Sequence, residues 1–155
     1  MIEAKENYGI DGKVICTLRD LEGNVVWEKE YHNIVTSAAK AGFAQLINAE
    51  TSPTFTGIVN YGAVGTGTST PATSDTQLQT EVGRKTVNGR SRAANVTTLE
   101  FYFDPTEANG NLKEFGAFID GTASANTGTL FDRVSIDVVK TSLNSLTISL
   151  VITVS

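Results

Sequence analysis

Apolar and polar residues alternate with period two over much of this chain. Leu146, Ile148, Leu150, Ile152 and Val154 alternate with Thr147, Ser149, Val151 and Thr153. Successive strand side chains point to opposite faces, so such a segment buries one face. Val134, Ile136 and Val138 alternate in the same way with Arg133, Ser135 and Asp137. Leu99, Phe101 and Phe103 do so against Glu100, Tyr102 and Asp104, and Phe115, Ala117 and Ile119 do so more weakly against Glu114, Gly116 and Phe118. Near the start, Val14, Cys16 and Leu18 share one strand face. Asp20-Leu21-Glu22-Gly23-Asn24 supplies a turn, and Val25, Trp27 and Tyr31 share a face of the return strand, with Glu28 and Glu30 opposite. Ile58 to Val64 reads as a buried strand that leaves the core through Gly65-Thr66-Gly67.

One segment follows a different period. Ala39, Phe43, Leu46 and Ile47 recur at i, i+4, i+7 and i+8, a single helical stripe. Thr36 or Ser37 can cap it. Gly42 inside it costs about 1 kcal/mol relative to Ala, so this helix depends on packing. Asp75–Val82 is read as a second short helical turn. Asn88-Gly89 and Asn109-Gly110 both lie between apolar runs and carry residues that tolerate positive φ, which tight hairpins need. Asn109-Gly110 is expected to join the strand ending near Phe103 to the one starting near Leu112. The fold expected is mainly β: a β-sandwich-like domain of about eight short antiparallel strands with one inserted α-helix, about 37–48. The chain, 1–155, reads as a single domain with residues 1–10 as a candidate N-terminal arm.

Composition narrows the chemistry. The 155 residues carry 12 Lys and Arg against 17 Asp and Glu, a net charge of -5, which makes the chain a poor general binder of nucleic acid. Cys16 is the only cysteine and His32 the only histidine. An intrachain disulfide, a Cys-based zinc site and a two-His metal motif are therefore excluded. No run of about 18 apolar residues occurs, so no membrane span is expected. The N-terminus lacks the basic and apolar regions of a secretory signal. No cofactor is expected.

The stretch "YGAVGTGTSTPATSDTQLQTEVGR" (61–84) is rich in glycine and raises the question of a phosphate cradle. A Walker-type loop needs Gly-Lys-Ser/Thr, and here no Lys follows Gly67. A dinucleotide fingerprint needs a third Gly where Thr70 stands, and Pro71 precedes any helix. The stretch reads instead as a strand-to-loop exit, with Leu78 as an anchor and Glu81 and Arg84 able to pair. His32 reads as a half-exposed strand residue, and no pair of carboxylates has a fixed spacing. Arg84, Lys85, Arg90 and Arg92 form the one basic cluster, read as a hairpin with a solvated face. Asn95-Val96-Thr97 is a formal glycosylation sequon without a secretory signal. Glu81, Arg84, Glu114, Arg133 and Lys140 flank turns or sit on strands, where opposite charges can lock neighbouring elements or neighbouring subunits.

Five stretches in order, "HNIVTSAAKAGFAQLI" (32–47), residues 61–84, "NGNLKEFGAFI" (109–119), "GTLFDRVSI" (128–136) and "VVKTSLNSLTISLVITV" (138–154), resemble a family of tailed-bacteriophage tail-fibre or tail-structural proteins. The shared pattern includes a "GtGtt-p-sDt-L-Ev-R" segment, and the resemblance covers most of residues 32–154. It implies a non-enzymatic virion component, made in the bacterial host cytoplasm, that assembles with copies of itself and with other virion proteins of tail, neck or capsid. The residues it singles out as an assembly or structural set are Gly65, Thr66, Gly67, Asp75, Leu78, Glu81, Arg84, Glu114, Gly116, Arg133 and Lys140. Small β-rich modules must pair or cover their edges, so a homo-oligomer, a trimer or larger ring, is expected. A tail, tail-fibre or baseplate-attachment role leads. A capsid decoration protein that cements the head lattice is the alternative, favoured by the small size of the chain. A module acting on surface polysaccharide lacks an aromatic-rich face and a fixed carboxylate pair.

Overall fold

Alternating faces commit these segments to sheets, and the computed structural model, which describes residues 9–50 and 55–155, shows two of them. The elements are β1 (Ile10–Arg19), β2 (Val25–His32), β3 (Ile34–Val35), α1 (Ser37–Ile47), β4 (Val59–Gly65), β5 (Glu81–Thr86), β6 (Gly89–Ala93), β7 (Val96–Phe103), β8 (Gly110–Ile119), β9 (Thr129–Lys140) and β10 (Ser145–Val154). The first sheet has the order β2-β1-β10-β7-β6 and the second β3-β9-β8-β4-β5. All the pairings are antiparallel. The protein is a mainly β, sandwich-like domain with a single helix among the described residues.

The inner faces are the ones the alternation marks. Val14, Cys16 and Leu18, Leu99, Phe101 and Phe103, and Leu146, Ile148, Leu150 and Ile152 meet Phe115, Ala117, Ile119, Val134, Ile136 and Val138 across the gap. Burying a large aliphatic or aromatic side chain contributes roughly 1.5–3 kcal/mol, so this face-to-face layer is the main source of stability. Burial pushes the Cys16 thiol up to about 12.

Thr36 caps α1: its Oγ1 accepts from the Ala39 N–H at 3.1 Å and donates to the Leu130 carbonyl at 2.5 Å. The helical stripe is only half used. Ala39 is buried and Phe43 stands edge-on to Phe55 and Phe131, but Leu46 and Ile47 are exposed. Gly42 packs directly on the Phe55 ring.

Four expectations change. Asp75–Val82 is not helical: Leu78 turns onto the second sheet and β5 begins at Glu81. Asn88-Gly89 and Asn109-Gly110 are not hairpin turns, because β5 and β8 lie in the second sheet while β6 and β7 lie in the first. Both sites carry the chain across the sandwich. Strand β4 starts at Val59, leaving Ile58 exposed. Of the candidate arm, residues 1–8 lie outside the described residues, while Gly9 and Ile10 extend the pairing of β1 with β10.

Candidate functional site

Cross-strand register gathers most of the singled-out residues on one surface, the outer face of the second sheet. Arg133, Gly116, Ala63 and Arg84 lie in one row across β9, β8, β4 and β5. Glu114, Gly65 and Glu81 lie in the next row. Diagonal neighbours on adjacent strands are within reach of long side chains, which sets up the Glu114–Arg133 pair.

Residues 66–80, the segment between β4 and β5, lie over this face as a strap. Leu78 enters a second small core with Ala63, Phe118 and Leu130, bordered by Tyr61. Gly116 makes room for it: a side-chain carbon there would stand 2.8 Å from Leu130 and 2.9 Å from Leu78. The strap ends are tied by Glu114. Its carboxylate accepts from the backbone N–H groups of Gly67 (3.1 Å), Gln79 (2.9 Å) and Thr80 (2.7 Å). Gly65 and Gly67 pass so close to this carboxylate that a side-chain carbon at either would lie 2.5 Å from Glu114 Oε1. The glycine-rich loop is therefore an anion cradle, and its anion is the chain's own.

Arg133 balances that charge. Its guanidinium donates to Glu114 at 2.8 Å, to Asp75 at 2.7 Å and to Ser69 Oγ at 2.9 Å. Arg133 and Glu114 side chains are 3% and 1% exposed. Burial would lift the Asp75 carboxyl, but the Ala72 N–H and the Arg133 guanidinium outweigh it and hold the group below its ordinary value. Removing one partner of a buried pair of this kind costs about 3–5 kcal/mol, because the other is left uncompensated.

A second clamp stands beside the first. Arg84 pairs with Glu81 at 2.6 Å, and its Nη1 donates to the Thr122 and Thr127 carbonyls and to Thr127 Oγ1. Its guanidinium lies over the rings of Phe118 (4.6 Å) and Tyr61 (5.5 Å). Glu81 also accepts from the Asn126 N–H. This clamp holds the 121–128 loop, as the first holds the strap.

Lys140 stands apart. It lies at one end of the sandwich, where its Nζ donates to the Asp104 carbonyl (2.7 Å) and Asn109 Oδ1 (2.9 Å), fixing the crossing from β7 to β8. Burial lowers its pKa, partly offset by Asp104 and Glu107.

No family model, curated protein or solved structure matches this chain. The reading of the site therefore rests on its own geometry.

The singled-out charges thus lock elements within one chain: Glu81 with Arg84, and Glu114 with Arg133 and Asp75. The basic cluster is not a hairpin face. Arg84 is buried in its clamp, Lys85 pairs with Glu107 at 2.6 Å, Arg90 donates to the Val59 carbonyl and Arg92 to the Ala94 carbonyl. His32 is exposed on edge strand β2, 3.9 Å from Glu30. Asn95 donates to the Val154 carbonyl. Among the described residues no group of three or more His, Cys, Asp or Glu is arranged to hold a metal ion, and no helix is long and apolar enough to cross a membrane.

One buried group has no signal in the spacing. Asp132 sits at the β8–β9 bulge, fully buried, accepting from the Ala117 N–H at 3.0 Å and from Asn33 Nδ2. Burial raises its pKa to about 7, against those two donors. Asn33 Oδ1 beside it is buried without a partner. The only sign of it in the sequence is that Asp132 comes one residue before Arg133 in Leu130–Val134, putting two charges side by side between apolar residues.

Proposed function

We propose that this chain is a non-enzymatic structural component of a tailed-phage virion, an oligomerising assembly module of tail, tail-fibre or baseplate-attachment type. The observation that carries the reading is the use made of the residues behind the resemblance. Gly65, Gly67, Leu78, Glu114, Gly116 and Arg133 build one clamped, multilayered wall: core, second sheet and strap. Ion pairs drawn inside fix shape and position more than they add net stability. A fixed shape repeated in many copies is what an assembly module supplies. Edge strands β2 and β6 of the first sheet, and β5 of the second, offer backbone groups and flanking faces to neighbouring subunits. In this reading the module works as a trimer or larger ring within the virion.

The test is a virion reconstruction that places the chain, with its copy number. A few to a few dozen copies on tail or neck support the proposal. Hundreds of copies on the head lattice would move it to capsid decoration. Turnover of bacterial surface glycans by the purified chain would overturn the non-enzymatic reading.

A further inference from the structure

The two ends of the sandwich carry unlike apolar surfaces. Strand β1 runs from Ile10 to Arg19, about 30 Å at ~3.3 Å per residue, and β10 returns beside it. At the Ile10–Val154 end lies an open groove of about 510 Å³ between α1 and the ends of β4, β7 and β10. Phe43, Ile47, Ile58, Leu99, Phe131 and Ile152 line it, and Ile47 is 89% exposed. Among the described residues, Arg90 and Thr97 are the polar ones in its lining. Arg92 stands opposite Thr97 in the register, two residues beyond Arg90 on the same face of β6 and just outside the lining.

The far end presents two leucines. Arg19 pairs with Ser145, which sets the turns 20–24 and 141–144 side by side. Leu21 is 62% exposed and Leu143 is 65% exposed. Both turns are braced. Asp20 accepts from the N–H groups of Glu22 and Asn24 and from Asn24 Nδ2, and these bonds hold its carboxyl below the ordinary value, offset slightly by burial. Thr141 accepts from the Leu143 N–H and donates to Asn144 Oδ1. Large aliphatic side chains held out by rigid turns have little ordering entropy left to lose on binding. The first turn is acidic at its tip, Asp20-Leu21-Glu22, with Arg19 leading in from the strand.

We propose that the leucine turns of one copy dock in the groove of the next, head to tail. Leu21 and Leu143 fill apolar space, and Asp20 and Glu22 face Arg90 and Arg92. A small ligand would need convergent polar groups to orient it, and among the described residues this groove offers few. Unlike patches that meet head to tail give rings when the rotation closes and filaments when it does not. The inference deepens the assembly role proposed above by naming its contact.

The test uses the full chain in sedimentation and light-scattering measurements at low and high salt. One variant carries Leu21→Asp with Leu143→Asp, the other Ile47→Asp with Ile58→Asp. All four positions are exposed, so folding is expected to survive, and circular dichroism checks it. The wild-type chain is expected to self-associate, and each variant alone is expected to be monomeric at the same concentration. Their mixture is expected to form a one-to-one complex that grows no further, because each partner retains one working end. Arg92→Glu is expected to weaken association about tenfold at low salt, and adding Glu22→Arg is expected to restore it. A wild-type chain still monomeric at roughly 1 mM, a variant that assembles like the wild type, or a mixture that stays monomeric would overturn the contact. A monomer that nonetheless occupies virion positions would sink this inference alone. A self-associating chain missing from virions would sink only the virion reading.

Discussion

Asp132 makes the pH dependence of stability a direct test of the buried architecture. Its carboxyl is fully buried and accepts from two hydrogen-bond donors. Burial raises its pKa from 3.8 to about 7. The folded chain therefore binds more protons than the unfolded chain between these values. The stability this group contributes is complete below pH ~4 and is lost as pH rises through about 7. At 1.36 kcal/mol per pH unit, the full span is worth about 4 kcal/mol. Asp132→Asn removes the titration. The new amide Oδ1 can still accept from Ala117, and its Nδ2 can donate to Asn33 Oδ1, the buried oxygen now without a partner. Urea unfolding of both chains at pH 4, 6 and 8 measures the effect, those pH values being about the ends and middle of the linkage window. The variant is expected to match the wild type near pH 4 and to exceed it by roughly 2–4 kcal/mol at pH 8. A stability difference that stays constant across the range would refute the argument, since the proton linkage would then lie elsewhere.

Other outcomes follow from the clamps. Glu114→Gln keeps the shape of the cradle but leaves Arg133 without its main counter-charge; a loss of about 3–5 kcal/mol is expected, with faster amide exchange at Gly67, Gln79 and Thr80. Gly116→Val drives a side chain into Leu78 and Leu130; a loss of about 1–3 kcal/mol is expected, and limited proteolysis should cut within 66–80 before the sheets unfold. Asp75→Asn weakens the same clamp. Because its folded pKa is lowered, Asp75 contributes stability above the unfolded value and loses it as pH falls through the lower one, so the acid limb of the unfolding curve is expected to move in this variant. The Cys16 thiol is buried and its pKa is about 12, so a thiol reagent at pH 8 is expected to label it only at the global unfolding rate.

The strand faces were legible because burial on one side writes itself as alternation. Leu146 to Ile152 and Leu99 to Phe103 could hardly be read otherwise. What alternation does not encode is the sheet that the next strand joins. Asn88-Gly89 and Asn109-Gly110 promise a change of direction, and the chain uses both to cross the sandwich. The segment Asp75–Val82 reads as a short helical turn, and it is not helical. Leu78 is instead the anchor of the strap, and Val82 is the unmatched residue of the bulge opposite Val64 and Gly65. The sequence pointed to Glu81 with Arg84 because they are near neighbours. Glu114 with Arg133 depends on the register of β8 with β9, which no local spacing reports. The glycines of 65–67 raise the question of a phosphate cradle, and the geometry that would admit a phosphate here admits the Glu114 carboxylate.

The order of the first sheet has a consequence for synthesis. Its central strand, β10, is made after the other nine described strands, and it separates β2-β1 from β7-β6. The second sheet can be complete once residue 140 is free of the ribosome. Until residues 145–154 follow, the nascent chain holds two hairpins with open inner edges and no shared core. A chain lacking β10 would therefore have two unpaired inner edges in its first sheet and would be prone to aggregate. The placement of β10 thus makes the first sheet form as one body only after both of its flanking hairpins exist.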